Sequence, residues 1–237
     1  MRGRFEFEPS LHELCDLGSE EKPGAIRALF DDLGVRLEWC PMKDAFRTIL
    51  TDDPDLKDYT MPFGTKEFTD KMEEYVPGSW ESTEKFILLC EDLNRAVNYM
   101  TEASGHVDPK VMQKEHTNFL KCAPYSVNEV LDALKMPKAA QKILGSYWCY
   151  IGVPLDRLSF FFYAIMVYKY LVGGAYIPKD RSHAISVALA ERVMALGGEV
   201  WCNTRAEKIL MRGGKPWAVQ TSRGLLETEH VICCCSP

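Results

Sequence analysis

The spacing of apolar residues changes along this chain, and that change constrains the fold more than any single motif. Residues 4–8 alternate charged and aromatic side chains, which is typical of a strand with Phe5 and Phe7 on one face. Between about residues 65 and 150 the apolar residues follow helical spacing, and residues 173–237 return largely to short runs separated by turn signals. Because neither pattern covers the whole chain, the sequence predicts an α+β fold with a helix-rich centre.

Two local patterns refine the first part of the chain. Ile26, Leu29, Phe30 and Leu33 fall on one helical face, and Gly34 follows them, so we expect a helix that ends there. The runs 35–39 and 46–50 have strand-like composition and are joined by a short segment that contains Pro41. This arrangement predicts a β-hairpin.

Other signals place elements in the second half. Ser126 and Glu129 have the spacing of a capping box, which predicts a helix start. A further helix is expected from about Ser182 to the Gly197-Gly198 pair. Short strands are expected after it, the last three forming a β-meander: 200–202, 206–211, 216–221 and 225–235.

The aromatic residues permit two interpretations. Tyr147, Trp148, Tyr150 and Ile151 could line an apolar cavity, or they could be ordinary core. The run 160–170 could form a pocket wall or a shallow surface that contacts a membrane.

Charge and cysteine usage exclude several classes of protein. The net charge of −6 provides no global positive field, which argues against nucleic-acid binding. Nine cysteines without a repeated short spacing indicate neither a disulfide framework nor a metal site, so a reducing cytoplasm is expected. The longest apolar stretch, 160–168, is too short to span a bilayer, and peripheral membrane association is the remaining membrane hypothesis.

The common phosphate-binding and hydrolase motifs do not occur in the sequence. Neither Gly-x-Gly-x-x-Gly nor the Walker A pattern is present, and no nucleophile elbow is found. No residue is a convincing general acid or base. The chain by itself therefore does not supply a complete nucleotide site.

An ordered set of short motifs is more informative than any one of them. They are Gly3 to Leu11, Gly173 to Pro178, Gly197 to Val200, Arg205 to Ile209 and Val231 to Pro237. In this order they resemble the phytoene desaturase-like branch of the flavin-containing amine oxidase superfamily, especially carotenoid isomerases and retinol saturases.

The resemblance implies an FAD-dependent oxidoreductase that acts on C–C or C=C bonds of an apolar polyene or isoprenoid substrate. It also implies a partial α/β FAD-binding domain at 1–23 and 173–237, with mixed sheet and β-meander, and an interleaved helix-rich substrate domain at 24–172. The family's Gly-rich βαβ unit has no counterpart among these residues, so we expect an internal fragment that lacks the phosphate anchor of FAD.

The resemblance assigns two groups of site residues. The cofactor-binding residues are Ala206, where the family's backbone contacts adenine, and Pro178 and Ser236. The residues expected to line the substrate site are Pro9, Ser10, Leu11, His12 and Tyr176. The segment 178–181 departs from the family, which usually has a Gly-Gly pair there. The partner is expected to be an apolar small molecule, and the flavin would carry the hydride.

Two alternatives stay open. The chain could be a non-catalytic module, without flavin, that binds an apolar ligand or another protein. It could also be an amine-oxidising relative, although such sites usually need an aromatic cage that these residues do not contain. The sequence does not decide the oligomeric state.

Overall fold

The computed structural model describes residues 13–51 and 57–234. The predicted strand at 4–8 lies outside the described residues. The chain divides into two compact units, 1–188 and 189–237. Helix and sheet are both present, so the predicted α+β class is confirmed.

The first unit has one helix, then three short strands, then a long run of helices and a fourth strand; the helix His183–Ala195 crosses into the second unit, where three strands follow. The helices are α1 Ala25–Asp32, α2 Thr65–Tyr75, α3 Trp80–Glu102, α4 Pro109–Glu115, α5 Thr117–Cys122, α6 Val127–Ala133, α7 Lys138–Leu144, a 3-10 helix Gly145–Tyr150, α8 Phe160–Gly173 and α9 His183–Ala195. The strands are β1 Trp39–Pro41, β2 Phe46–Ile49, β3 Asp58–Met61, β4 Tyr176–Pro178, β5 Ala206–Arg212, β6 Lys215–Thr221 and β7 Gly224–Glu227.

The core of the first unit forms where α3 packs against α8. Phe86 on α3 contacts Phe160 on α8 with ring centroids 5.9 Å apart, in the edge-to-face geometry that aromatic pairs favour. The Tyr163 hydroxyl lies in the same core and donates a hydrogen bond to the Leu144 carbonyl. The helix-rich centre predicted from the sequence is therefore confirmed.

The start of α6 shows why the local prediction succeeds. The Ser126 hydroxyl accepts a hydrogen bond from the Glu129 amide, and the Glu129 carboxylate accepts one from the Ser126 amide at 2.8 Å. These bonds satisfy amide groups that have no partner within the helix. The predicted capping box is confirmed.

Helix α8 contains most of the apolar run that was considered for a pocket wall. Phe160, Tyr163 and Val167 are fully buried, whereas Phe162 is 62% exposed. The run is therefore mainly core, because one helical face packs inward against α3.

The predicted hairpin between 35–39 and 46–50 is wrong. Strand β1 pairs with β4, and β2 pairs with β3, in both cases antiparallel. On its other side β4 pairs with Leu14, whose amide donates to the Tyr176 carbonyl at 2.8 Å. Each run has thus paired with a different strand: β1 with one distant in sequence and β2 with the next strand along the chain.

The second unit contains the predicted meander, in the order β5-β6-β7. Both of its turns are where the sequence placed them, and Gly213 and Gly214 adopt positive φ angles between β5 and β6. The segment 200–202 is not a strand, and β7 ends at Glu227 instead of continuing through the described part of 225–235. Both of those strand predictions are wrong.

Across 13–51 and 57–234, no helix combines the length and apolar character needed to cross a membrane.

Candidate functional site

A cleft of about 600 Å³ opens between the 3-10 helix and strand β2. Its apolar lining consists of Phe46, Leu50, Tyr147, Trp148, Tyr150 and Leu155. The sequence left open whether the three aromatic residues at 147–150 form a cavity or ordinary core. All three line the cleft, whereas Tyr147 is also part of the buried core and Ile151 packs against that core, so each interpretation holds for some of the four residues.

Behind the cleft, three tyrosines pack against one another. The ring centroids of Tyr147 and Tyr170 are 5.6 Å apart, and those of Tyr150 and Tyr170 are 5.3 Å apart. Tyr147 also contacts Phe46 edge-to-face at 4.8 Å, which joins the 3-10 helix to β2. The tyrosine cluster therefore fixes one wall of the cleft to α8 and to a β-strand.

A buried carboxylate anchors this cluster. Glu13 is 8% exposed, and its Oε1 atom accepts a hydrogen bond of 2.8 Å from the Tyr150 hydroxyl. The Glu13 carbonyl accepts a second hydrogen bond, from the Tyr170 hydroxyl at 3.3 Å. Three residues on, Asp16 pairs with Lys169 of α8, with Oδ2 and Nζ 2.7 Å apart. The segment 13–16 is thus attached both to the 3-10 helix and to α8.

The surroundings keep the phenols of the cluster neutral. Burial, more than any other cause, raises the pKa of Tyr147 and of Tyr170, and nearby acidic groups raise both further. Burial also raises the pKa of Tyr150, and its hydrogen bond to Glu13 adds to that increase. These tyrosines can donate hydrogen bonds and provide ring surface, but they do not act as ionised bases near neutral pH.

Polar groups lie at the rim of the cleft and are engaged with other residues. The Arg47 guanidinium donates to both carboxylate oxygens of Asp58 across the β2–β3 pair. The Gln141 amide donates to Asp132 at 2.8 Å and to the Met136 carbonyl at 2.9 Å. The cleft therefore offers an apolar aromatic interior with a polar border, which is the usual composition of a small-molecule site.

Tyr176 is the one predicted substrate-lining residue within the described part of the chain. The Tyr176 backbone exchanges two hydrogen bonds with Leu14, of 2.8 and 2.9 Å, which places the residue beside the segment anchored by Glu13. Pro9, Ser10, Leu11 and His12 lie outside the described residues, and Leu14 is only two residues beyond them. Their role and that of Tyr176 stay predictions.

The predicted cofactor residues lie in different units. Pro178 is buried on β4 in the first unit, and Ala206 is exposed at the start of β5 in the second. Ser236 lies outside the described residues. In the segment that departs from the family, Lys179 pairs with Glu38 at 2.7 Å and Arg181 adopts a φ of 65°. That positive φ is the conformation a glycine would favour.

Sequence reasoning missed Glu13 and Tyr170. Glu13 is 137 residues from Tyr150, and no local periodicity links the two positions. The one available signal for Glu13 was its position immediately after the predicted substrate-lining turn. The sequence analysis considered Tyr170 only as the last residue of the apolar run 160–170.

The residues of this chain do not fit the pyrophosphate part of FAD. A dinucleotide is normally held by a Gly-rich turn at the start of a helix, and no Gly-x-Gly-x-x-Gly occurs in the 237 residues. The backbone of β4 around Tyr176 is paired on both sides, by Leu14 and by β1. These residues therefore do not form the part of a flavin site that holds the phosphates.

Comparison with known proteins bears on the fold and the class of protein. The chain is 23% identical to human all-trans-retinol 13,14-reductase over 239 aligned positions, which include 97% of the chain. An oxidoreductase of known structure from Methanosarcina mazei superposes with a TM-score of 0.55 over 93% of the chain, at 13% identity. The resemblance to flavin-dependent oxidoreductases is confirmed. No family model matches the sequence.

Both oxidoreductases are longer than this chain. The chain spans 38% of the length of the human reductase and 45% of the Methanosarcina structure. A further solved structure, putrescine oxidase bound to putrescine, superposes with a TM-score of 0.49 at 14% identity, covering 86% of this chain and 43% of that one. That last likeness is too weak to relate the two folds.

Proposed function

We propose that the chain is part of an FAD-dependent oxidoreductase that desaturates, saturates or isomerises C–C or C=C bonds of an apolar polyene or isoprenoid substrate. The observation that carries this proposal is the match with all-trans-retinol 13,14-reductase, which includes 97% of the chain. By its name that relative reduces a conjugated, largely hydrocarbon molecule, and we propose the same substrate class here.

The cleft supports the substrate class. Its volume of about 600 Å³ lies within the range of small-molecule sites. Trp148 presents a partly exposed ring to the cleft, whereas Tyr147 is buried and held by its packing. Contact between an apolar ligand and flat aromatic side chains of this kind stabilises the complex, and ordering these side chains costs little conformational entropy.

The residues of the cleft would bind and orient the substrate and would leave the redox chemistry to the cofactor. Tyr150 is neutral and its hydroxyl donates a hydrogen bond to Glu13, so it does not offer a free base to the ligand. A flavin would supply hydride transfer, for which a protein provides mainly position and exclusion of water.

A module that binds an apolar ligand without flavin is the second candidate. The apolar aromatic lining of the cleft favours it, because such a lining can hold an apolar ligand without a flavin. Both candidates predict a ligand in the cleft, and only the first predicts flavin. Ligand binding and flavin binding must therefore be measured separately.

The ligand-binding test uses the fluorescence of all-trans-retinol, which rises when the molecule leaves water. We expect saturable binding to the purified 237-residue chain. Replacement of Trp148 by alanine is expected to weaken that binding about tenfold, because it removes the partly exposed ring of the lining. The matched control is Trp80→Ala, which removes a partly exposed tryptophan of α3 outside the cleft.

Equal losses of affinity in Trp148→Ala and Trp80→Ala would show that the cleft is not the binding site. Absence of retinol binding by the unaltered chain would contradict both candidate functions for this ligand. Circular dichroism of both variants establishes that each retains the native fold.

A further inference from the structure

A second hollow adjoins the aromatic cleft. It has a volume of about 390 Å³ and is lined by Asn128, Trp148, Pro154 and Leu155. Trp148 and Leu155 also line the cleft of about 600 Å³. The two spaces therefore meet at these two residues. We call the smaller space the second hollow.

The backbone holds the residues where the two spaces meet. The Trp148 carbonyl accepts hydrogen bonds from the Ile151 and Gly152 amides, at 3.1 and 2.9 Å, at the end of the 3-10 helix. The Leu155 carbonyl accepts one from the Asn128 amide at 3.2 Å, which ties the loop to the first turn of α6. Trp148 is nevertheless 46% exposed, so its ring is both ordered and accessible to a ligand.

Asn128 is the polar side chain of the second hollow that has no partner. The residue is half-buried, and its side-chain amide makes no hydrogen bond within 13–51 and 57–234. The adjacent Glu129 carboxylate is already engaged by Ser126 in the capping box. A free amide provides two N–H donors and one carbonyl acceptor, so Asn128 can pair with a neutral oxygen of a ligand.

The cleft and the second hollow differ in what they offer to a ligand. In the cleft, Arg47 is engaged by Asp58 and Gln141 by Asp132, which leaves a mainly aromatic surface. An all-trans polyene is rigid and extended, so it does not fold up inside one compact cavity. Its hydrocarbon part fits the cleft, and an oxygen at its end needs a hydrogen-bond partner once it leaves water.

We propose that the cleft and the second hollow form one binding site for an elongated apolar alcohol. The hydrocarbon chain crosses the Trp148 ring, and the terminal hydroxyl forms a hydrogen bond with the side-chain amide of Asn128. Asn128 thereby selects the alcohol over the corresponding hydrocarbon and determines which end of the ligand lies in the cleft. The inference rests on the proposed function for the class of ligand, but it requires no flavin.

The test compares two ligands in the fluorescence titration described above. One is all-trans-retinol, and the other is axerophthene, the hydrocarbon in which hydrogen replaces the retinol hydroxyl. Asn128→Ala is expected to weaken retinol binding about fivefold, because one hydrogen bond is lost, and to leave axerophthene binding unchanged. Trp148→Ala is expected to weaken the binding of both ligands, since both cross its ring.

Two control variants complete the experiment. Gln113→Ala removes an exposed amide from α4 and should leave the binding of both ligands unchanged. Ser146→Ala removes a hydroxyl of the cleft that makes no hydrogen bond among the described residues, so it tests the opposite orientation of the ligand. We expect it to affect retinol and axerophthene equally.

The proposal is wrong if Asn128→Ala changes the affinity for the two ligands by the same factor, or changes neither. It is also wrong if Ser146→Ala causes the loss that is selective for retinol, because the hydroxyl would then lie in the cleft. Either result leaves the proposed function standing as long as Trp148→Ala weakens binding. A chain that takes up no FAD but shows the selective effect of Asn128→Ala would contradict the proposed oxidoreductase and support this site.

Discussion

The hydrogen bond between Tyr150 and Glu13 permits a quantitative prediction. A hydrogen bond to a charged group contributes about 1.5–3 kcal/mol to the free energy of unfolding. Glu13 is buried but Tyr150 is partly exposed, so the lower value applies. We therefore expect Tyr150→Phe to lower the free energy of unfolding by about 1.5 kcal/mol. For a chain of this size that is a decrease in Tm of about 3–6 °C.

The assay is thermal unfolding followed by circular dichroism, with Tyr125→Phe as the matched control. Tyr125 is exposed, and its hydroxyl makes no hydrogen bond within the described residues. Its replacement should change the free energy of unfolding by less than about 0.5 kcal/mol.

A double-mutant cycle separates the hydrogen bond from other effects of the change. The variants Tyr150→Phe and Glu13→Gln should show a coupling free energy of about 1 kcal/mol, whereas Tyr125→Phe and Glu13→Gln should show none. Additive effects of Tyr150→Phe and Glu13→Gln would refute the assignment of Glu13 as the group that anchors the cleft wall.

Three further predictions concern stability. Phe160→Ala should lower the free energy of unfolding, measured in urea, by about 3–5 kcal/mol, because the ring is fully buried against Phe86. The control Phe162→Ala, at an exposed position nearby, should change that free energy by less than about 0.5 kcal/mol. Equal losses in the two variants would contradict the packing of α8. Ser126→Ala should lower it by about 1 kcal/mol through loss of the capping box, and an unchanged urea midpoint would contradict that cap. Burial raises the folded-state pKa of Tyr147, Tyr150 and Tyr163 above the usual value of about 10. The stability that these neutral phenols contribute should therefore be complete below about pH 10. It should disappear as the pH rises through their folded-state pKa. A titration of phenolate absorbance should then show them ionising only as the chain unfolds at alkaline pH, and their ionisation in a chain that retains its native circular dichroism would contradict the prediction.

The helices were predictable because their signals are local. The capping box at Ser126 and the apolar stripe of α3 depend on residues within a few positions of one another. The meander was predictable for the same reason, since Gly213-Gly214 and Gly224 mark its turns. Strand pairing in the first unit was not predictable, because β1 pairs with a strand that begins 135 residues after β1 ends (176 − 41).

The site was predictable in part. The aromatic residues at 147–150 were compatible with a cavity or with ordinary core, and the structure places them in the lining of the cleft. Its anchor was not predictable, because the contact of Glu13 with Tyr150 and Tyr170 requires the segment 13–16 to pair with β4 and to lie against α8. Acidic residues are common on protein surfaces, and only the tertiary structure shows that the Glu13 carboxylate is buried.

The most direct test of the central claim is the visible absorption spectrum of the protein purified from its native source, before and after addition of a chemical reductant. An FAD-dependent oxidoreductase should show the two-banded spectrum of oxidised flavin, which bleaches on reduction, and FAD should be released on denaturation. A colourless protein that takes up no FAD on titration, yet still binds retinol through Trp148, would contradict the oxidoreductase proposal and favour the flavin-free binding module.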